Sequence, residues 1–494
     1  MNKWSTLISL LTLVIIFSYN NKAQSFDGEW TCDYATYDTS PDDNAIGQNC
    51  IDVAVISENT FVALSQREPS ASVQSTNYLI GYSNADSANG RMGTHYGSRG
   101  DRQLWINGFD QVEMEQAMDI AAKDSYIFVA NNDAERNILV FQLGADSVES
   151  APYRLVTGAD SLWAIHVDGQ GRVYVASLKT DAPAEILVFN SIENDPAWQT
   201  SPFTTTPLQT ITLPDTGSIR GITTNSEGTL LYVSNYTTKE IYCYVGSPES
   251  GYTLYDGFNL QFSDVKIADT GTDTLNPGPL GLTYLDGNNI LAFAADISTI
   301  FSLSSVYYQY GKMFFVNPNT GELLDTIDVA QWNFDMTGSY STRSGGNTPG
   351  NASGYTSTFN VDFDENGNIY SQSYNGWTVE KWSFSGELPN IPITITGIEK
   401  DEFSVPDNFS LNQNYPNPFN PTTTIEFSVP KESDVNLAVY NINGELVTTL
   451  INSQNFSQGT YKITFDASKL ASGTYLYVLR SNDQQFTKKM TLIK

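Results

Sequence analysis

The sequence predicts an all-β protein in two parts, a ring of four-stranded blades followed by a small C-terminal sandwich. Three observations lead there. One strand–turn–strand pattern recurs six times between residues 50 and 385. Apolar stretches alternate or run for four to six residues between Gly, Asn and Asp turns, and nothing beyond the first 23 residues sustains a helical period. The last 87 residues, 408–494, change character, opening with spaced prolines before short alternating strands.

The amino terminus reads as an export leader. Met1-Asn-Lys3 is a short basic start, residues 5–18 are an apolar run too short to span a bilayer comfortably, and Lys22-Ala23-Gln24 resembles a cleavage site. We assign residues 1–23 to a signal peptide and Gln24 to the mature start, although Asn21 is not the small residue usual three positions before a cut. No cysteine follows to suggest a lipid anchor, and no segment of the mature chain is apolar enough to be transmembrane. Three cysteines are too few for a disulfide framework, and a chain of this length buries a core without one. Cys32 and Cys50 flank a polar loop and are positioned in sequence for one bridge, whereas Cys243, in Ile241-Tyr-Cys-Tyr-Val, reads as a small buried hydrophobe.

The chain carries a formal charge of −30, and residues 24–407 hold 49 acidic side chains against 16 basic ones. An acidic protein of this kind repels nucleic acid and anionic polysaccharide, so nucleic-acid binding is excluded.

Within residues 24–387 each repeat centres on one apolar position: Val53, Ile120, Ile165, Ile222, Leu282 and Val361. The intervals of 67, 45, 57, 60 and 79 residues suit one four-stranded blade per repeat. Second strands read Tyr126-Ile-Phe-Val-Ala, Arg172-Val-Tyr-Val-Ala, Leu230-Leu-Tyr-Val-Ser, Ile290-Leu-Ala-Phe-Ala and Asn368-Ile-Tyr-Ser; third strands read Ile138-Leu-Val-Phe, Ile186-Leu-Val-Phe, Ile241-Tyr-Cys-Tyr and Lys312-Met-Phe-Phe-Val. No blade buries both faces alone, so six stack around a channel, with room for a seventh in residues 25–50 or in the longest interval. Leu231-Tyr-Val-Ser-Asn-Tyr and Phe128-Val-Ala-Asn-Asn resemble blades of YVTN and NHL-type β-propellers. The resemblance implies a six-bladed β-propeller. A fourth strand is expected over residues 323–330, and residues 388–407 read as a linker in which residues 391–395 add an edge strand.

The C-terminal part opens with Leu411-Asn-Gln-Asn-Tyr-Pro-Asn-Pro-Phe-Asn-Pro. Pro416, Pro418 and Pro421 fix φ and cannot donate to a ladder, so the run leads in extended form to Thr424-Ile-Glu-Phe-Ser-Val. Strands over 435–440 and 461–465 follow, with Asn443-Gly444 as a hairpin turn, and Lys488 and Lys489 stand near the end. This immunoglobulin-like β-sandwich resembles the type A C-terminal sorting domain of type IX secretion system substrates, carried by Asn414, Tyr415, Pro416, Asn417, Pro418 and Phe419 and by Lys488 and Lys489. The resemblance implies passage through the periplasm and across the outer membrane by the type IX machinery. The product is then secreted or attached to the cell surface, with the sorting domain removed.

Chemistry is sparse. His95 and His166 are the only histidines, which excludes His-rich metal sites, and His166 alternates with apolar neighbours like a satisfied strand residue. No Gly-x-Ser-x-Gly elbow occurs. Asp362-x-Asp364-x-Asn366-Gly367 imitates the start of a calcium loop, but Ser373 stands at its twelfth position, and a plain turn fits better. The residues preceding the anchors are Asp52, Asp119, Ala164, Gly221, Gly281 and Asn360. Ring closure makes Asn360, Asp52 and Asp119 neighbours at the channel mouth, a set of oxygens able to hold calcium. By resemblance, gluconolactonase-like propellers place a comparable metal there. Two long polar loops interrupt the repeats, 83–103 with Arg91, His95, Arg99 and Arg102, and 333–357 with Arg343. Strand parity puts only the second on the face of Asp52, so Arg343 joins the ligand candidates. Trp105, Trp163, Trp198, Trp332, Trp377 and Trp382 serve either sugar stacking or inter-blade packing.

The expectation is a secreted or cell-surface propeller acting as a binding or structural module toward surface proteins or glycans, with no catalytic residue assigned. The alternative is a calcium-dependent hydrolase or lactonase at the channel mouth.

Overall fold

The computed structural model describes residues 26–35, 49–67, 76–83, 94–95, 117–131, 137–143, 148–155, 162–177, 182–199, 206–248, 251–260, 265–266, 274–275, 278–296, 311–337, 358–373, 378–395, 398–401, 406, 408–431, 433–456, 458–467, 470–481 and 484–494. Residues 1–23, Arg343, Trp105, Trp377 and most of both long loops lie outside the described residues.

Six four-stranded antiparallel sheets in this set follow one another along the chain. Their innermost strands are Asn49–Ser57, Ala117–Lys123, Leu162–Val167, Ile219–Thr224, Gly278–Leu285 and Thr358–Phe363, and each packs against the next, the last returning to the first. The architecture is a β-propeller, and we number its blades by these strands. All six anchor residues lie on them. Each hairpin from first to second strand needs one left-handed residue, and the sequence supplies Asn59, Asp124, Gly171, Gly228, Asn289 and Gly367 there, one per blade. Asn, Asp and Gly are the types that enter this region at least cost.

The core is divided into layers between blades. Ile127, Val129 and Leu139 pack with Ala54, Val62 and Leu64 between blades one and two; Phe128, Val140 and Trp198 pack with Ile165 and Val175 between two and three. Equivalent layers fill the later junctions, and buried Cys243 sits in the one between blades four and five. Each blade buries its second face only against a neighbour.

Blade six is completed from the other end of the domain. Trp30–Ala35, within a stretch long enough for part of another blade, pairs with Thr378–Phe384 as the fourth strand. Trp30 stacks on Phe315 with centroids 4.9 Å apart, and its indole N–H donates to Asp325 Oδ2 at 3.1 Å. This strand overturns the proposed Cys32–Cys50 bridge. Cys32 is a free thiol at the rim of blade six, whereas Cys50 lies on the innermost strand of blade one. Three strand spacings of about 4.8 Å separate rim from centre, beyond the roughly 7 Å that a disulfide spans between Cα atoms.

Two further elements differ from expectation. The fourth strand of blade five ends at Asp328, and Val329–Thr337 is an α-helix. Asp328 Oδ1 accepts from Gln331 N–H at 2.9 Å, capping a helix whose short length hid it from periodicity. The linker does not run free at its start. Ile391 and Ile395 are buried against blades four to six without forming a strand, and side-chain amides hold the backbone: Asn289 Nδ2 donates to Ile391 O, Asn319 Nδ2 to Pro392 O, and Thr394 N–H donates to Asn319 Oδ1. Its later part, Ile398–Asp401, pairs with Gly459–Asp466 of the sandwich.

The sandwich consists of two four-stranded sheets. One orders Ile398–Asp401, Gly459–Asp466, Thr422–Val429 and Ser410–Leu411; the other orders Leu446–Phe456, Ser433–Asn441, Gly473–Ser481 and Gln484–Leu492. Ile425, Phe427, Leu437, Val439, Tyr477 and Leu479 fill the space between them. The Asn443-Gly444 turn forms as expected, with Gly444 at φ 81°.

Candidate functional site

Each innermost strand has a β-bulge near its start, between 50/52, 117/119, 162/164, 219/221, 279/282 and 358/360. A bulge leaves backbone N–H groups without ladder partners, and these must be satisfied some other way. The residues before the anchors do this. Asp52 Oδ1 accepts from Val53 N–H at 2.6 Å, and Asp52 Oδ2 accepts from Ile120 N–H of blade two at 2.5 Å. Asp119 Oδ2 accepts from Ile165 N–H of blade three at 2.8 Å. Asn360 Oδ1 accepts from Val361 N–H at 2.8 Å, while its Nδ2 donates to Asp52 Oδ1 and, at 3.1 Å, to Asp119 Oδ1.

The three side chains expected to meet therefore do meet, tying blades six, one, two and three. The other half of the ring uses small residues at the same position. A Cβ on Gly221 would lie 2.6 Å from Leu280 O and 2.7 Å from Leu282 N, so blades four and five approach too closely for a side chain. A Cβ on Gly281 would strike the Asn360 carboxamide.

This cluster is a plug, not a mouth. Asp52 is 0% and Asp119 5% exposed. Burial, then the charge and hydrogen bond of Asp119, raise the Asp52 carboxyl well above its ordinary range. Burial also raises Asp119, to about 6, against the pull of Asp52, the Ile165 and Ile120 amides and Arg220. Two carboxyls so buried and so close cannot both ionise cheaply. As a calcium cradle the donor set fits poorly. An amide NH₂ stands between the carboxylates, and backbone N–H groups occupy the oxygens a cation would need. Among the described residues no three His, Cys, Asp or Glu side chains are placed to hold a metal ion.

From this plug a cavity of about 280 Å³ runs along the channel to the turns that end the innermost strands, where Gly169, Ser226 and Asp286 are exposed. The sequence placed the ligand face at the opposite end, beside residues 333–357. The described opening is toward the turns. Its walls carry His166, Thr223, Thr283 and Asp362, with Lys123, Asp168 and Asp286 near the opening. Asp362 Oδ2 accepts from Val55 N–H at 2.7 Å, and its Oδ1 accepts from Thr283 Oγ1 at 3.0 Å and from Phe363 N–H. Burial raises its carboxyl to about 7 against these three donors, with the charge of Asp52 adding to the rise.

His166 Nε2 accepts from Thr224 N–H at 3.2 Å, which fixes the neutral tautomer, and burial lowers its pKa to about 4 despite the charge of Asp168. Asp168 is itself occupied: Oδ2 accepts from Arg172 Nε at 2.6 Å and from the Tyr174 hydroxyl at 3.1 Å, and Oδ1 from the amides of Gln170 and Arg172. The imitation calcium loop is a turn, Asp364 Oδ1 accepting from Asn366 and Asn368 N–H, but its first residue, Asp362, faces the channel.

Sequence reasoning missed Arg220 and its contact with Trp163. Both occupy bulges, and the Arg220 guanidinium carbon lies 4.0 Å from the Trp163 ring centroid. The legible signal was their position, one residue ahead of Ala164 and Gly221.

At the sorting motif, Asn414 is buried, its Nδ2 donating to Thr423 Oγ1 at 2.9 Å and to Pro416 O. Asn417 Oδ1 accepts from Thr491 N–H, and both Gln413 Nε2 and Asn417 Nδ2 donate to Lys489 O. Phe419 is buried, with its N–H on Thr491 O and its carbonyl receiving Ile493 N–H. The proline-rich run thus covers the edge strand Gln484–Leu492 and joins the two ends of the motif.

Comparison with known proteins agrees with this reading of the C-terminus. Residues 413–494 match the family described as secretion system C-terminal sorting domain. Among curated proteins none matches significantly. Solved structures similar in fold include a gluconolactonase from Xanthomonas campestris, at 11% identity and TM-score 0.38, covering 73% of this chain and 91% of that one. A protein of unknown function from Bacteroides thetaiotaomicron aligns at 11% identity and TM-score 0.42, covering 69% and 70%. The aldose sugar dehydrogenase of Streptomyces coelicolor, in its PQQ-bound form, aligns at 11% and 0.37, covering 72% and 98%. The terminal domain indicates export by the type IX system to the cell surface or medium. No helix among the described residues is long and apolar enough to cross a membrane.

Proposed function

We propose that this chain, a type IX secretion substrate by its terminal domain, delivers a β-propeller that works outside the cell as a binding or structural module. Its ligand site is the central cavity, entered from the turns of the innermost strands. One observation carries the reading: the acidic groups lining the channel are engaged in hydrogen bonds of the fold. Asp52, Asp119, Asp168 and Asp362 accept hydrogen bonds from named donors, and His166 accepts from an amide, so among the described residues no nucleophile and base stand aligned toward the cavity. The described wall carries Asp119, Asp168, Asp286 and Asp362 against Lys123, so the cavity favours neutral polyols or cations over anionic solutes. Extracellular glycans and proteins bearing such groups are the expected partners.

A second reading, a calcium-dependent hydrolase or lactonase, is favoured by one feature, the Asp362 carboxyl poised near neutrality within the cavity. Thermal unfolding of the mature chain with calcium or with chelator separates the two. The binding reading expects the same transition in both, with an Asp52→Asn/Asp119→Asn variant destabilised equally in each. Calcium-dependent stabilisation that this variant abolishes would overturn it in favour of the hydrolase.

A further inference from the structure

We propose that Tyr415 is the contact by which the export machinery reads this terminal domain. Within the run from Gln413 to Phe419 the other polar and aromatic side chains are spent on the fold. Gln413, Asn414 and Asn417 satisfy backbone and side-chain groups, and Phe419 is 2% exposed in the sandwich core against Phe465. Tyr415 is the exception. Its backbone is committed, with N–H and carbonyl paired to Thr424, yet its side chain is 81% exposed. A rigid aromatic held clear of the surface contributes nothing to the core that it could not contribute as a smaller residue. Large aromatics at such positions anchor partners, because they bury much area at little cost in conformational entropy.

Its setting adds to this. Pro416 follows directly, and hydrogen bonds fix the chain two residues to either side, on Lys489 O from Gln413 and from Asn417, so the ring is presented on a stiff support. Lys488 and Lys489 on the covered edge strand are exposed, on opposite faces of it by strand alternation, and Ile493 is exposed where that strand ends. The occupant we commit to is the component of the type IX machinery that recognises the sorting domain, since Tyr415 lies within residues 413–494, which match that family.

The test uses the full chain with its leader in a type IX-competent host, measuring the fraction that reaches the surface or medium. Tyr415→Ala is expected to cut that fraction on the order of tenfold, with periplasmic accumulation and an unchanged thermal transition of the purified protein. Tyr415→Trp is expected to restore export. Ile442→Ala, at a site 72% exposed on the far hairpin, serves as the control and is expected to export normally. A photo-crosslinking residue at position 415 should join the chain to one outer-membrane component of the machinery, and the same residue at 442 should not. Normal export of Tyr415→Ala overturns the proposal, as does loss of export only in step with lost stability. Crosslinks from 415 chiefly to a second copy of the chain overturn it equally, and would mark Tyr415 as a self-association contact.

Discussion

Replacing Asn360 with alanine tests the idea that the channel plug closes the ring. The amide donates to both Asp52 and Asp119, so its loss removes hydrogen bonds from blade six to blades one and two and leaves two buried carboxyls facing one another. Hydrogen bonds to charged acceptors contribute about 1.5–3 kcal/mol each, and stranding the Val361 amide adds to the penalty, so a loss of about 3–5 kcal/mol is expected.

The sign of its pH dependence follows from the carboxyls. Both are already held above their ordinary range by burial and by each other, Asp119 at about 6, and taking away a donor raises them further. A carboxyl raised in the folded state contributes stability below its unfolded value, near 3.8, and that contribution is lost as pH climbs through the folded value. The destabilisation should therefore be smaller at pH 4 than at pH 8. Chemical denaturation of the mature protein at both values provides the measurement. A loss below about 1 kcal/mol, or one equal at the two pH values, would refute the reasoning.

Other outcomes follow from the same geometry. Asp362→Asn should flatten the decline in propeller stability between about pH 4 and pH 7, because a carboxyl raised to about 7 loses up to about 4 kcal/mol across that window; pH-dependent unfolding of wild type and variant checks it. Asp168→Ala strands the buried Arg172 guanidinium, which also donates to Glu227 O of blade four, and should cost about 3–5 kcal/mol by urea denaturation. Removing residues 408–494 from the full chain should leave the propeller in the periplasm, as cell fractionation would show, since residues 413–494 carry the sorting match.

The repeat was legible because its signal is local. Six apolar anchors and six turn residues of the Asn, Asp or Gly type mark the blades whatever their spacing. The meeting of Asn360, Asp52 and Asp119 was legible too, because a closed ring makes its first and last members neighbours. What those residues do was not. A carboxylate that caps an amide freed by a bulge and one that faces a ligand look alike in sequence, and bulges leave no mark of their own. The docked start of the linker was hidden for a related reason: Asn288, Asn289 and Asn319 hold it through side-chain amides, without strand pairing, so residues 391–395 show alternation but form no ladder. The helix Val329–Thr337 is too short to display a period, and only its Asp328 cap distinguishes it from the preceding strand.

The pairing of Trp30–Ala35 with Thr378–Phe384 has a kinetic consequence during biosynthesis. The partner strand emerges about 350 residues later, roughly 20–70 s at bacterial elongation rates. Through that interval blades one to five can stack, but the circle stays open and its earliest strand waits unpaired, an edge available to any neighbouring chain. A nascent molecule of this topology depends on being shielded until its last blade is complete.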